Sequence, residues 1–461
     1  MRLSKARITK SRRVNKMRIL IDGGTIITMN PTHPIIENGG ILVEDDRISD
    51  VGTSERFHNV EADSTIDAQG KIIIPGLVNA HTHLFQSLLR GLGDDRALLD
   101  WLRNVIWPIA EHIGPRECYD GARLGLLENI RTGVTTVIDN HYIHTDSSNM
   151  DRVARAAFES GLRVILARGF YDTNAIEPFV EDADTVLRET RRLHEMCLED
   201  YADRVEAWFG PMTPWTVTPN LFRECKAVAD ELAMGIHIHV AENKEEVAMI
   251  SKQYNASHVG FLDSLGLLSR RLHAVHGVWL TDSDIQTLNR AGSHLVYNPI
   301  SNMYLASGIA PIVKARTAGL NTAVGTDGPA SNNNQDMFAS MKTGVLLQKV
   351  ALLDPTCLTA YQILEMATLG GARALGLEKE IGSIEKGKKA DLAIIDAQAP
   401  HIQPLHDPIS ALVYCANPSD VQTVIANGIV VMKNHAVLTY DEQEVLQDAI
   451  ESGTRLRQSK R

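Results

Sequence analysis

Residues 75–84 read PGLVNAHTHL: a Pro-Gly turn, a short apolar run, then His81 and His83 separated by one threonine. In an extended strand alternate side chains share a face, so both imidazoles point one way and Thr82 points the other. Two neutral imidazoles converging on one point are half a metal site. The plain alternative is a pair of histidines satisfied by hydrogen bonds at a strand end. Further ligands at the same place would decide between them.

Outward from this stretch the chain alternates apolar strands with amphipathic helices. Eight strand candidates stand out: GLVNAH (76–81), GVTTVID (133–139), LRVILAR (162–168), VEAWFG (205–210), GIHIHV (235–240), LHAVHG (272–277), SHLVYN (293–298) and LNTAVGTD (320–327). Segments such as MDRVARAAFESG and PNLFRECKAVADELAMG lie between them, with apolar residues at helical spacing and a closing glycine. Eight such alternations predict an α/β protein built on a (β/α)8 TIM-type barrel over 76–381. Short alternating strands in 17–75 return in 382–440, so these terminal segments are expected to pair into one small β-sandwich. A C-terminal helix is expected over 441–461.

The remaining composition narrows the function class. The chain has 461 residues, 44% hydrophobic, and a formal net charge of -11, which argues against nucleic acid or an anionic membrane as the main partner. No segment reaches the length of a membrane span. Five cysteines are scattered without a CxxC pair, suggesting a reducing, cytoplasmic location rather than a disulfide framework. Residues 1–16, MRLSKARITKSRRVNK, are strongly basic and lack the apolar core of a signal peptide, so they read as a disordered extension.

In a barrel of this kind, polar residues at the carboxyl ends of the strands meet at one mouth. Strand one ends in His81 and His83, strand five offers His237, His239 and Glu242, strand six His276, and strand eight Asp327. Singly, each has a structural explanation: a core histidine bonded to a carbonyl, or an aspartate capping the next helix. Together, three imidazoles and a carboxylate suit a borderline cation such as Zn²⁺, with Fe²⁺ a second candidate.

The set PGLVNAHTH, HVAE, HGVWL and GTDGPASNN resembles the amidohydrolase superfamily, in the branch of cytosine, guanine and methylthioadenosine/S-adenosylhomocysteine deaminases and s-triazine hydrolases. The resemblance implies that His81, His83, His239 and Asp327 ligate one metal, with Glu242 and His276 as the acid/base pair and Asp327 also accepting a proton from water. It implies a hydrolase that releases ammonia from an amino-substituted nitrogen heterocycle, of purine, pterin, pyrimidine or triazine type. Strand four, VEAWFGP, lacks the lysine that holds a second metal in binuclear members, which favours one ion. His237 is surplus to the family pattern and is expected deeper in the barrel, in a supporting role. Dimers and higher assemblies are usual in the family, so a homo-oligomer is expected.

Substrate-contacting candidates are Gln86, Trp101, His141, Arg168, Met212 and Asn332. Several positions depart from the adenosine-type enzymes: Ala110 where a sugar-binding glutamate is expected, Met212 for a purine-contacting histidine, and Tyr297 in place of the histidine of HNP. Together with Gln86, Asn140 and His141 these departures lean toward 8-oxoguanine, isoxanthopterin or hydroxytriazine. The alternatives are removal of chloride or an alkylamine from an s-triazine, and a non-catalytic scaffold on the same fold.

Overall fold

The computed structural model describes residues 17–201 and 204–459, so the expectation for residues 1–16 falls outside it. Eight strands form one sheet in chain order: β1 (Leu77–Thr82), β2 (Val134–His141), β3 (Arg163–Phe170), β4 (Val205–Pro211), β5 (Ile236–Val240), β6 (Leu272–His276), β7 (His294–Tyr297) and β8 (Asn321–Val324). Each arises from one of the eight stretches read in the sequence. Neighbours pair in parallel throughout. Apart from Glu206 and Asn321 every strand residue is buried, as expected where helices cover the outer face and side chains fill the interior.

The intervening helices carry their own start and stop signals. Asp182 accepts from the Thr185 N–H and Thr281 from the Asp284 N–H, each satisfying an otherwise free helix donor. Gly161 and Gly292 end their helices in the left-handed conformation.

The circle closes between β8 and β1 through the Asp327 N–H, which donates to the His81 carbonyl at 2.9 Å. Beside it the Thr326 N–H donates to Asn79 Oδ1 at 3.0 Å, and the Asn79 amide nitrogen faces acceptors on Asn129, Thr326 and Gln335. This buried polar seam ties the end of the barrel to its beginning. Gly76, at the entry to β1, has no room for a side chain, since a Cβ there would stand 2.1 Å from Thr135 Oγ1.

The terminal segments meet in one nine-stranded mixed sheet. Lys71–Pro75 runs antiparallel to Leu392–Asp396, with Ile73 opposite Ile394. The sheet folds over so that Arg47, on its edge strand, bridges to Lys389. Ile19, Ile41, Ile73, Leu392, Ile394 and Ile425 fill the enclosed core. The C-terminal helix, Glu442–Ser459, is anchored on the barrel by Arg123, which pairs with Glu444 and Asp448, each at 3.0 Å.

Barrel and terminal sheet are clasped by the buried ion pair of Arg163, at the start of β3, with Asp391. Asp391 also accepts from the Asn427 N–H. Asp391→Asn would leave the guanidinium buried without its counter-charge, and the unfolding free energy should fall by about 3–5 kcal/mol. Urea denaturation reads this directly, and an unchanged midpoint would contradict the clasp.

Candidate active site

The barrel brings His81, His83, His239, Glu242, His276 and Asp327 to one mouth, all of them buried. His81 lies in β1, and His83 follows its end at the entry to the turn Leu84–Leu89. His239 lies in β5, while His276 ends β6. His276 and Asp327 both hold left-handed backbone conformations, φ 69° and 64°. Such angles are uncommon for residues with a Cβ and cluster at functional positions. At His276 the kink has a geometric use. His273 and His276 are three residues apart and would face opposite sides of a regular strand, and the kink turns His276 back toward the mouth.

Hydrogen bonds sort the imidazoles into two kinds. His83 Nδ1 donates to the Asn140 carbonyl at 2.6 Å and His239 Nδ1 to the Met212 carbonyl at 2.9 Å. In a neutral ring this leaves the lone pair on Nε2, directed at the mouth. His276 is the reverse: the Asn302 amide donates to its Nδ1 at 2.9 Å, with the Asn298 amide at 3.3 Å. Its proton therefore sits on Nε2, which faces Glu242 Oε2 at 3.6 Å and Asp327 Oδ2 at 4.0 Å.

Burial holds these rings neutral, driving the pKa of His81 and of His276 down to about 3 and that of His239 well below its ordinary value. Burial alone would raise Asp327, but the surrounding imidazoles of His81, His276 and His83 hold it well below the usual carboxylate range. Ser301 Oγ donates to its Oδ2 at 2.5 Å. Glu242 moves the other way: burial, then the nearby carboxylates of Glu246 and Asp327, push its pKa well above the ordinary value.

This donor set fits a divalent cation. His81 Nε2 is buried with no hydrogen-bond partner among the described residues. It lies 3.3 Å from Asp327 Oδ1, and His83 Nε2 lies 3.4 Å from the same oxygen. Donors about 2.0–2.1 Å from a tetrahedral zinc ion stand about 3.4 Å apart. His81, His239 and His276 each bring a ring nitrogen within 4.8 Å of the others, and His81, His83 and Asp327 form a second such group, while the Asn302 amide on His276 Nδ1 leaves the proton of that ring on Nε2. β4 contains no lysine.

Above these residues lies an aromatic cavity walled by Trp101, Trp107, Tyr142, Tyr171, Met212 and Trp215, with Leu98, Leu102 and Leu305. Gln86 also reaches it, donating to the Tyr142 hydroxyl at 2.9 Å. The indole nitrogen of Trp101 is buried there without a partner among the described residues, and the Trp107 ring meets Tyr171 edge-on. Of the substrate-contacting candidates, Gln86, Trp101 and Met212 line the cavity. Arg168, His141 and Asn332 are not among its lining residues. Arg168 pairs with Glu181 at 2.6 Å, His141 Nε2 faces the Ile143 carbonyl, and the Asn332 amide donates to the Thr326 carbonyl.

Sequence reasoning passed over Asn298, Ser301 and Asn302, which set the state of His276 and Asp327. Their only sign is the polar run NPISN directly after β7. It also passed over Trp215 and Glu246, joined by a 2.8 Å hydrogen bond on the cavity wall.

Comparison with known proteins identifies the family. The amidohydrolase family matches residues 72–431. A 5′-deoxyadenosine deaminase of Methanothermobacter thermautotrophicus is 42% identical over 429 residues, covering 93% of this chain and 96% of that protein. A 5-methylthioadenosine/S-adenosylhomocysteine deaminase of Syntrophomonas wolfei is 40% identical over 441 residues, covering 95% and 99%. Among solved structures, a zinc-bound adenosine deaminase from Xanthomonas campestris superposes with a TM-score of 0.91 at 34% identity, covering 96% of this chain and 99% of that one. A zinc-bound atrazine chlorohydrolase from Arthrobacter aurescens gives 0.87 at 26% identity, covering 94% and 100%.

The two curated relatives are named for adenosine-type nucleosides, whereas the sequence departures lean toward 8-oxoguanine, isoxanthopterin or hydroxytriazine. Those departures bear on the cavity less than their positions suggested: Ala110 is packed in the core, and the Tyr297 hydroxyl bonds to Gln348 on a helix. Met212 is the exception: its side chain lines the cavity, while its backbone carbonyl fixes His239. The chain belongs to the amidohydrolase family.

Proposed function

We propose that this protein is a mononuclear metal-dependent deaminase of adenosine-type nucleosides with an apolar 5′ group. The observation that carries the reading is the pairing of two opposite chemistries across one cavity: electron-pair donors on His81, His83, His239 and Asp327, facing a proton-bearing Glu242 and His276. Zinc is favoured by the donor set and by the zinc-bound relatives. When bound, the ion supplies Lewis acidity that makes water a nucleophile near neutral pH.

The protein's own residues account for the proton movements. Asp327, held anionic, takes one proton from the attacking water, while the His276 Nε2–H donates to the oxygen as it adds to ring carbon 6. Glu242, kept protonated by burial and by its neighbouring carboxylates, gives its proton to ring nitrogen N1. The proton on Asp327 passes to the amino group, which leaves as ammonia. The hydroxyl proton returns to Glu242 as the carbonyl forms, and both carboxyl groups end as they began.

The cavity supports the substrate class. Its walls are aromatic and aliphatic, with the unpartnered Trp101 indole N–H for a polar atom of base or sugar. No lysine or arginine is among the lining residues, and Arg168 is taken up by Glu181, so a carboxylate-bearing 5′ group finds no counter-charge. Ammonia release should therefore be fastest with 5′-deoxyadenosine or methylthioadenosine and at least about tenfold slower with S-adenosylhomocysteine. Preference for S-adenosylhomocysteine, guanine or a chlorotriazine would overturn this assignment. A soluble homo-oligomer acting on this small-molecule substrate in the cytoplasm completes the reading, and among the described residues no helix is long and apolar enough to cross a membrane.

Two variants test the roles. Glu242→Gln should keep its metal and lose about 10²–10⁴-fold in kcat, and unchanged turnover would remove Glu242 from the mechanism. Asp327→Asn should lose both tight metal binding and activity.

The pH dependence follows from the sign of the Glu242 shift. The acid form is the working form, so kcat/KM should hold below its raised pKa and fall tenfold per pH unit above it. Glu246→Gln, which removes one cause of the shift, should move that alkaline limb to lower pH. A profile that rises continuously into alkali would contradict the acid role.

A further inference from the structure

Behind the mouth, the barrel interior holds a file of three imidazoles. His81 Nδ1 lies 2.8 Å from His237 Nε2, His237 Nδ1 lies 3.2 Å from His273 Nδ1, and His273 Nε2 lies 2.7 Å from the Ala374 carbonyl. All three rings have no exposed surface. His81 and His237 stack with centroids 5.0 Å apart, and His273 meets His237 edge-on at 5.4 Å. The placement follows from the strands: His237 shares a face with His239, and the β5/β6 register sets it opposite His273.

The proton order in this file is determined by its far end. A carbonyl oxygen only accepts, so His273 carries its proton on Nε2 and offers a lone pair at Nδ1. His237 Nδ1–H donates to that lone pair, which leaves His237 Nε2 as an acceptor. His81 Nδ1–H donates to it in turn, leaving the His81 lone pair on Nε2. Three neutral rings thus use three protons in three bonds that run in one direction, and the file ends at the buried, unpartnered nitrogen beside Asp327. His83 and His239 reach backbone carbonyls directly, whereas His81 reaches one only through two other rings.

We propose that His237 and His273 are positioning residues that transmit the Ala374 carbonyl's demand for a proton to His81, locking it in the tautomer that presents Nε2 to the metal. The proposal rests on the metal reading above and adds to it a reason for histidines that hold no ion themselves. It implies that what matters at position 237 is one acceptor and one donor in line, not ring volume.

Two substitutions separate this from simple packing. Gln at 237 can accept from His81 through Oε1 and donate to His273 through Nε2, whereas Phe fills the space and does neither. Zinc affinity, measured on the purified full chain by competition with a chromophoric chelator, should stay within about threefold of wild type in His237→Gln. It should weaken by about 10–100-fold in His237→Phe. Equal affinity in His237→Phe and wild type, or equal losses in both variants, would overturn the proposal while leaving the metal site standing. A wild type that binds no stoichiometric zinc would instead overturn the metal reading beneath it.

Should His237→Phe fail to fold, ¹⁵N-histidine spectra of the zinc-loaded wild type give the same test. They should show Nδ1–H for His81 and His237 and Nε2–H for His273. An Nε2–H proton on His237 would contradict the file.

Discussion

Lone pairs of like character cannot be buried facing one another without something positive between them. At this barrel mouth the Nε2 atoms of His81 and His83 converge on the same Asp327 oxygen, with little water-exposed surface to relieve them. An isolated buried carboxylate costs several kcal/mol unless paired. A cation resolves the conflict. The strand order, the two left-handed kinks and the polar seam that joins β8 to β1 all serve to keep these donors at ligand spacing.

The second constraint is tautomeric. Four histidines crowd the site, yet only those whose Nδ1 donates can ligate. Carbonyls of Asn140 and Met212 enforce that state on His83 and His239, and amides of Asn298 and Asn302 enforce the opposite state on His276. Residues of one chemical type are thereby divided into rings that present a lone pair to the mouth and one that presents a proton. The same division underlies the acid and base roles: Asp327, among imidazoles, stays ionised, whereas Glu242, among carboxylates and apolar walls, keeps its proton.

The primary residues of this arrangement were legible in the sequence because they obey two simple rules. Period-two alternation places His81 with His83 and His237 with His239, and the barrel sends strand ends to one mouth. The supporting residues were not legible. Nothing in LHAVHG says that a backbone kink returns His276 to the same side as His273, and NPISN gives no sign of which amide will meet which ring nitrogen. Arg168 illustrates the limit from the other side. Its resemblance to a residue that adenosine-type enzymes use against a substrate carboxylate suggested substrate binding, but Glu181, thirteen residues on in a loop, takes its charge. Contacts set by loop geometry leave no periodic trace. The small terminal sheet was legible in texture, through short alternating strands at both ends, but its joining register of Ile73 on Ile394 emerges only in three dimensions.

The central claim is that one ion completes this site and that the protein's own groups do the rest. Stripping the purified protein with a chelator and titrating zinc back, while following ammonia release from 5′-deoxyadenosine, tests it most directly. Activity should be absent in the stripped protein and should saturate at one equivalent of zinc per chain. Full activity in the stripped protein, or saturation only at two equivalents, would contradict the account.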